Sequence, residues 1–174
     1  MAAQKIQSGT YAVTDDSGFM AIVDPDAYDG FVGADWETAA LVRKFQDQMV
    51  ARALLIWGTG MESTWTVAVG AWSASTGGFR QCTGTISSSR GRLLLTNYES
   101  LTMAAQFEDI ELPEPHQADL VLRVEPGSYR CRITQIRDPD AESTDSESAD
   151  FLIELDAYAE PEPAWQAIPW SELR

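Results

Sequence analysis

Apolar and polar residues alternate with a period of two along most of this chain. Gly9-Thr-Tyr-Ala-Val-Thr14 and Gly18-Phe-Met-Ala-Ile-Val23 predict two strands around an Asp15-Asp16-Ser17 turn. Ala53 to Trp57 and Thr64 to Val69 predict a second pair, joined through Gly58-Thr-Gly60. Gly78 to Ile86 and Arg92 to Thr96 flank Ser87-Ser-Ser-Arg-Gly91, a composition suited to a turn. Asp119 to Val124, the Pro126-Gly127 turn and Tyr129 to Ile133 read as the clearest hairpin, and Asp150 to Leu155 as a last strand. This succession of short strands and frequent turns predicts a mainly β protein, a two-sheet antiparallel β-sandwich with one or two short helices.

One segment departs from the alternation. From Asp35 to Met49, Leu41, Phe45 and Met49 recur at steps of four, which predicts a helix with Asp35 as its N-cap. A second short helix is expected over Glu99 to Gln106. There is no internal repeat. At 174 residues the chain is expected to form one domain over 1–174, with an acidic loop at 138–150 and a Pro/Trp tail at 160–174.

Charge adds what the pattern alone does not show. With 12 basic and 27 acidic side chains the net charge is -15, which argues against nucleic acid or an anionic membrane as a direct partner. The charge is also unevenly spread, with both ends acidic and residues 38–107 mildly basic. From Asp138 to Glu162 the sequence carries ten carboxylates and no Lys, Arg or His. Its first part, 138–150, is polar and low in complexity and predicts a long mobile hairpin loop. The amino-terminal residues show no apolar run of a signal peptide, and Ala53 to Trp57 is too short to span a bilayer. A cytoplasmic location is expected, with Cys82 and Cys131 as free thiols buried in strands.

The residues that carry common chemistries do not assemble here. His116 is the single histidine and reads as a surface loop residue, so neither a triad nor a zinc site can be built. Asp24-Pro-Asp-Ala-Tyr-Asp-Gly30 looks superficially like a calcium loop, but Tyr28 stands at its fifth position and the glycine comes one place late. It reads as an acidic turn. Gly58 to Thr64 has the glycines of a phosphate loop without its lysine or its spacing. The chain is therefore expected not to be an enzyme and to need no cofactor or metal. A small carboxylate-dependent hydrolase is the enzymatic alternative.

The acidic run and the six tryptophans bear on function. Trp57, Trp65 and Trp72 fall in or beside strands, where core packing is the default, while Trp36, Trp165 and Trp170 lie outside them. Exposed tryptophans on a β-sandwich would suit a sugar or an assembly neighbour, a second alternative. Ten uncompensated carboxylates repel one another, a cost that evenly mixed surfaces avoid. Such a field speeds encounter with a basic partner. The residues expected to meet it are Asp138, Asp140, Glu142, Asp145, Glu147 and Asp150, joined by Asp24, Asp26 and Asp29, with Trp165 as an aromatic anchor.

The hairpin Leu122 to Ile133, with Pro126-Gly-Ser-Tyr129 at its turn, and the strand Phe151 to Ala157 resemble the carboxy-terminal half of the ComJ-like competence nuclease inhibitors. The Asp35-Trp36 region and the amphipathic stretch after it are also similar. The resemblance implies an intracellular β-sandwich that binds and inhibits a basic toxin or nuclease, in the manner of bacterial immunity proteins. It carries no inhibitory residue over.

Overall fold

The structure is a computed structural model, in which residues 6–74, 77–142, 148–157 and 160–173 are described. The strands are β1 (Gly9–Asp15), β2 (Phe19–Val23), β3 (Leu54–Gly58), β4 (Ser63–Ala71), β5 (Arg80–Ser88), β6 (Arg92–Asn97), β7 (Val121–Arg123), β8 (Gly127–Gln135) and β9 (Phe151–Asp156). Two helices, α1 (Thr38–Val50) and α2 (Tyr98–Gln106), and a 3-10 turn at Pro115–Leu120 complete the set. The β-sandwich expected from the alternation is present. One sheet has the order β1-β4-β9-β8-β5 and the other β3-β2-β6-β7.

The two sheets differ in how they are covered. Val13, Trp57, Trp65, Val67, Tyr129, Ile133, Phe151 and Ile153 fill the space between them. A second cluster lies on the far side of the four-stranded sheet, where Leu41, Phe45 and Met49 of α1 and Leu101 and Ala105 of α2 pack on Val23, Leu54, Ile56 and Leu94. The four-stranded sheet is thus buried on both faces, and β3 is apolar at every position up to Gly58. The five-stranded sheet turns its other face outward, so β4 alternates buried Trp65, Val67 and Val69 with more accessible Thr64, Thr66 and Ala68.

Four turns expected between consecutive strands, that of the clearest hairpin included, prove to be corners between the sheets. β1 and β2, β3 and β4, β5 and β6, and β7 and β8 each lie in different sheets. A turn residue ends a strand but does not decide whether the next strand pairs with it or faces it across the core. The corner after β1 shows what holds such a link. Asp15 is 1 % exposed, and its carboxylate accepts from the backbone N–H groups of Ser17 (3.0 Å), Gly18 (2.6 Å) and Phe19 (3.0 Å). It also accepts from the Thr59 hydroxyl (2.6 Å) and the Trp65 indole N–H (3.2 Å). Gly18 takes φ +81 here, a left-handed conformation that costs glycine little.

A further difference concerns strand direction. β9 pairs antiparallel with β8 across the acidic loop, as expected, but parallel with β4. The reason lies in the link from β4 to β5, which passes over the outer side of β9 and β8 and leaves them the two places between. Its Trp72 N–H donates to the Leu155 carbonyl and its Phe79 N–H to the Gln135 carbonyl. Parallel pairing requires a crossover of this kind.

Helix α1 begins later than expected, with Glu37 as N-cap and no side-chain cap bond, so Asp35 stands outside it. The Asn97 side chain caps α2 by accepting from the Ser100 N–H (3.0 Å). Cys82 and Cys131 are free thiols on adjacent strands, and burial pushes the Cys82 thiol up to about 12. Among the described residues no helix is long and apolar enough to cross a membrane.

Candidate protein-interaction surface

The acidic run 138–162 splits into two parts when folded. Its strand part lies beside β8, whose register sets Arg130 opposite Asp156 and Arg132 opposite Glu154. Arg132 and Glu154 are 6 % and 3 % exposed and pair at 2.8 Å, and Ser73 closes the pair by donating its N–H to Glu154 (2.9 Å). Trp72 stacks on the guanidinium groups of Arg130 (4.0 Å) and Arg132 (4.1 Å). Arg130 reaches Asp156 at 3.2 Å, and Arg137 reaches Asp150 at 3.1 Å. Asp150 also accepts from the Thr66 N–H (2.9 Å), which ties the start of β9 to β4. The bases missing from the linear run are supplied by the neighbouring strand.

The loop part is different. Asp138 is half-buried and accepts from the Asp140 N–H (2.9 Å), while Asp140 and Glu142 are exposed and bear no ion pair among the described residues. Asp145 and Glu147 lie outside the described residues. Arg80 stands at the root of this loop, held by the Gln135 side chain (2.6 Å) and stacked on Trp170 (4.5 Å). Burial lowers its pKa, against the attraction of Asp138.

The acidic turn after β2 also divides by residue. Asp24 is 1 % exposed and accepts from the N–H groups of Asp26 (3.1 Å) and Ser89 (2.7 Å), which fixes the turn. Asp26 takes a bidentate pair of bonds from Arg92, both 2.8 Å, and this holds its carboxyl below the usual range. Asp29 is exposed and bears no ion pair among the described residues. Among the described residues no three His, Cys, Asp or Glu side chains converge on a common point that could hold a metal ion.

Trp165 belongs to the tail, which runs along the open side of the sandwich between the edge strands β3 and β5. Glu162 donates its N–H to Thr85 (2.8 Å), Trp165 its indole N–H to the Thr83 carbonyl (2.9 Å), and Gly58 its N–H to the Pro169 carbonyl (2.9 Å). Gly84 makes room for this, because a Cβ there would stand 2.9 Å from the Trp165 ring and 2.7 Å from Leu55. Trp165 is thereby half-buried, as are Trp36, Trp72 and Trp170, while Trp57 and Trp65 are buried. The half-buried indoles lie near α1, on the outer sheet face and in the tail, and form no row on one sheet face of the kind a sugar platform needs. His116 is exposed, in the 3-10 turn.

The sequence reading missed the cleft beside the acidic turn. It encloses about 400 Å³ and brings Asp26, Tyr28, Asp29 and Phe31 together with Arg90, Glu108 and Glu111. The backbone N–H groups of Val32 (2.9 Å) and Gly33 (3.0 Å) donate to the Ala105 carbonyl and fasten the turn to the end of α2. Residues so far apart in sequence gave no linear signal.

No family model and no curated protein matches the chain. Among solved structures, the product of crocagin biosynthetic gene J aligns with a TM-score of 0.56 at 18% identity, over 88% of this chain and 97% of that one. ComJ of Bacillus subtilis, inhibitor of the DNA-degrading activity of NucA, aligns with a TM-score of 0.51 at 8% identity, over 88% of this chain and 99% of that one. The resemblance in the late hairpin thus extends to the whole architecture, and the chain shares the fold of ComJ.

Proposed function

We propose that this chain is a cytoplasmic inhibitor of a basic toxin or nuclease, of the bacterial immunity-protein kind, acting by occluding the partner's active site. The observation that carries the reading is the excess of carboxylates that the fold leaves exposed without an ion pair among the described residues, Asp29, Glu108, Glu111, Asp140 and Glu142 among them. The fold shared with a nuclease inhibitor is consistent with it. Lys and Arg that a nuclease offers to phosphates would meet these carboxylates, and the inhibitor would imitate the charge of nucleic acid without its shape. It works by binding, with no catalytic residue, cofactor or metal. Asp138, Asp145, Glu147 and Asp150 are further contact residues in this proposal, with Trp165 as an aromatic anchor.

Charges at such a rim mainly raise the association rate, while affinity rests on desolvated apolar anchors. The test is stopped-flow association with a recovered partner across a salt series. Neutralising Asp140, Glu142, Asp145 and Glu147 together should slow association and flatten its salt dependence, with less effect on dissociation. Exposed charges are screened beyond about 8 Å at physiological salt, so the wild-type rate should fall as salt rises. An unchanged rate at every salt concentration would remove the loop from the interface. Turnover of a glycan or phosphoester, lost on mutating one carboxylate pair, would overturn the reading in favour of a hydrolase.

A further inference from the structure

Three features meet at the cleft between the acidic turn and the end of α2. The first is an imbalance of charge. Arg92 is engaged by Asp26, and Arg90 also faces Asp26. Asp29, Glu108 and Glu111 line the same cleft, exposed and without an ion pair among the described residues, so the cleft as a whole attracts a cation. The second is an unsatisfied polar group. Tyr28 lines the cleft, and its hydroxyl is buried without a hydrogen-bond partner. A group of this kind costs free energy until something bonds to it. Burial, and to a lesser degree Asp29, raise its pKa, so it stays a neutral phenol that can accept as well as donate. Gly30 leaves the space for this ring, since a Cβ there would collide with it.

The third feature is apolar. Phe31 is 37%, Met103 40% and Phe107 41% exposed, and these are three of the six large apolar side chains exposed among the described residues. Phe31 lines the cleft, Met103 and Phe107 are one helical turn apart at the end of α2, and Glu108 follows at once. Aromatic and Met side chains beside an acidic cleft have the composition of an interface centre.

We infer that this cleft receives an arginine side chain of a basic protein partner, its guanidinium bonded to the Tyr28 hydroxyl and to the carboxylates of Asp29 and Glu108, with Phe31 packing against it. Arginine suits the place because its planar fork offers several donors at once and stacks on aromatic rings. The inference rests on the proposed inhibitor function and moves the anchoring point from the 138–150 loop to the opposite acidic element.

The test uses the 15N-labelled full chain titrated with N-acetyl-arginine methylamide, and with the citrulline analogue as a neutral isostere. Amide shifts should saturate at millimolar concentration and centre on residues 26–31, 90–92 and 108–112. They should weaken at least tenfold with citrulline and in the D29N/E108Q variant, whose exposed positions leave the fold intact. Tyr28→Phe should weaken binding severalfold and yet raise the melting temperature, because it removes an unsatisfied buried hydroxyl. Equal shifts with citrulline, shifts centred on 138–142, or no shifts would overturn the inference. The two claims fail separately. Arginine binding with no basic partner inhibited would sink the inhibitor function alone, whereas a partner inhibited equally by wild type and D29N/E108Q would sink the cleft alone.

Discussion

The loop part and the strand part of the acidic run carry the same sign of charge in opposite surroundings. Glu154 and Asp156 lie where β8 presents arginines, and their charges are spent inside the fold. Asp140 and Glu142, earlier in the run, lie in the link between the same two strands, and their carboxylates have no ion pair among the described residues. A run of like charge therefore has no single meaning. Strand register decides which of its members are paired inside the fold and which stay in solvent.

Mutations separate the two parts by size of effect. Glu154→Ala strands the Arg132 guanidinium in the protein and should cost about 3–5 kcal/mol in urea denaturation. Replacing both partners, R132M/E154L, should recover most of that loss, because apolar side chains of similar volume need no pairing. Asp150→Ala removes one backbone bond and a quarter-exposed ion pair, and should cost about 1 kcal/mol. Asp140→Asn and Glu142→Gln should stay within about 0.5 kcal/mol of wild type.

Acid titration extends the comparison to the turn after β2. Arg92 holds the folded Asp26 carboxyl below its ordinary value, so the folded state takes up this proton less readily than the unfolded chain. The stability this supplies is complete above the unfolded pKa of about 3.9 and is lost as pH falls through the lowered folded value. The advantage of wild type over Arg92→Met at neutral pH should therefore shrink below pH about 4.

The strands were largely legible because alternation is a local property. The partnering of strands was legible only in part. Each of the first three corners joins an alternating strand to a continuously apolar one, as β1 (TYAVT) meets β2 (FMAIV) and β3 (LLIWG) meets β4 (TWTVAV). A strand apolar at every position must be covered on both faces, and one that alternates need not be, so the contrast marks membership of different sheets. The parallel β4–β9 pair left no such mark, because it follows from a crossover whose residues look like loop. Of the site, the exposed acids of the loop and Asp29 were visible as charge. The structural duties of Asp24, Asp26 and Asp150 were not, since their partners Ser89, Arg92 and Thr66 lie far away in sequence. The cleft needed three separate segments to be brought together before it could be recognised.

The most direct test of the inhibitory function begins with affinity capture by the full chain from its native lysate. The captured protein is identified, purified and assayed for cleavage of nucleic acid while the chain is added in increasing amounts. The account predicts a basic protein whose activity falls to background at stoichiometric addition, less readily at high salt. A captured protein with no basic surface, or one whose activity persists in the saturated complex, would contradict it.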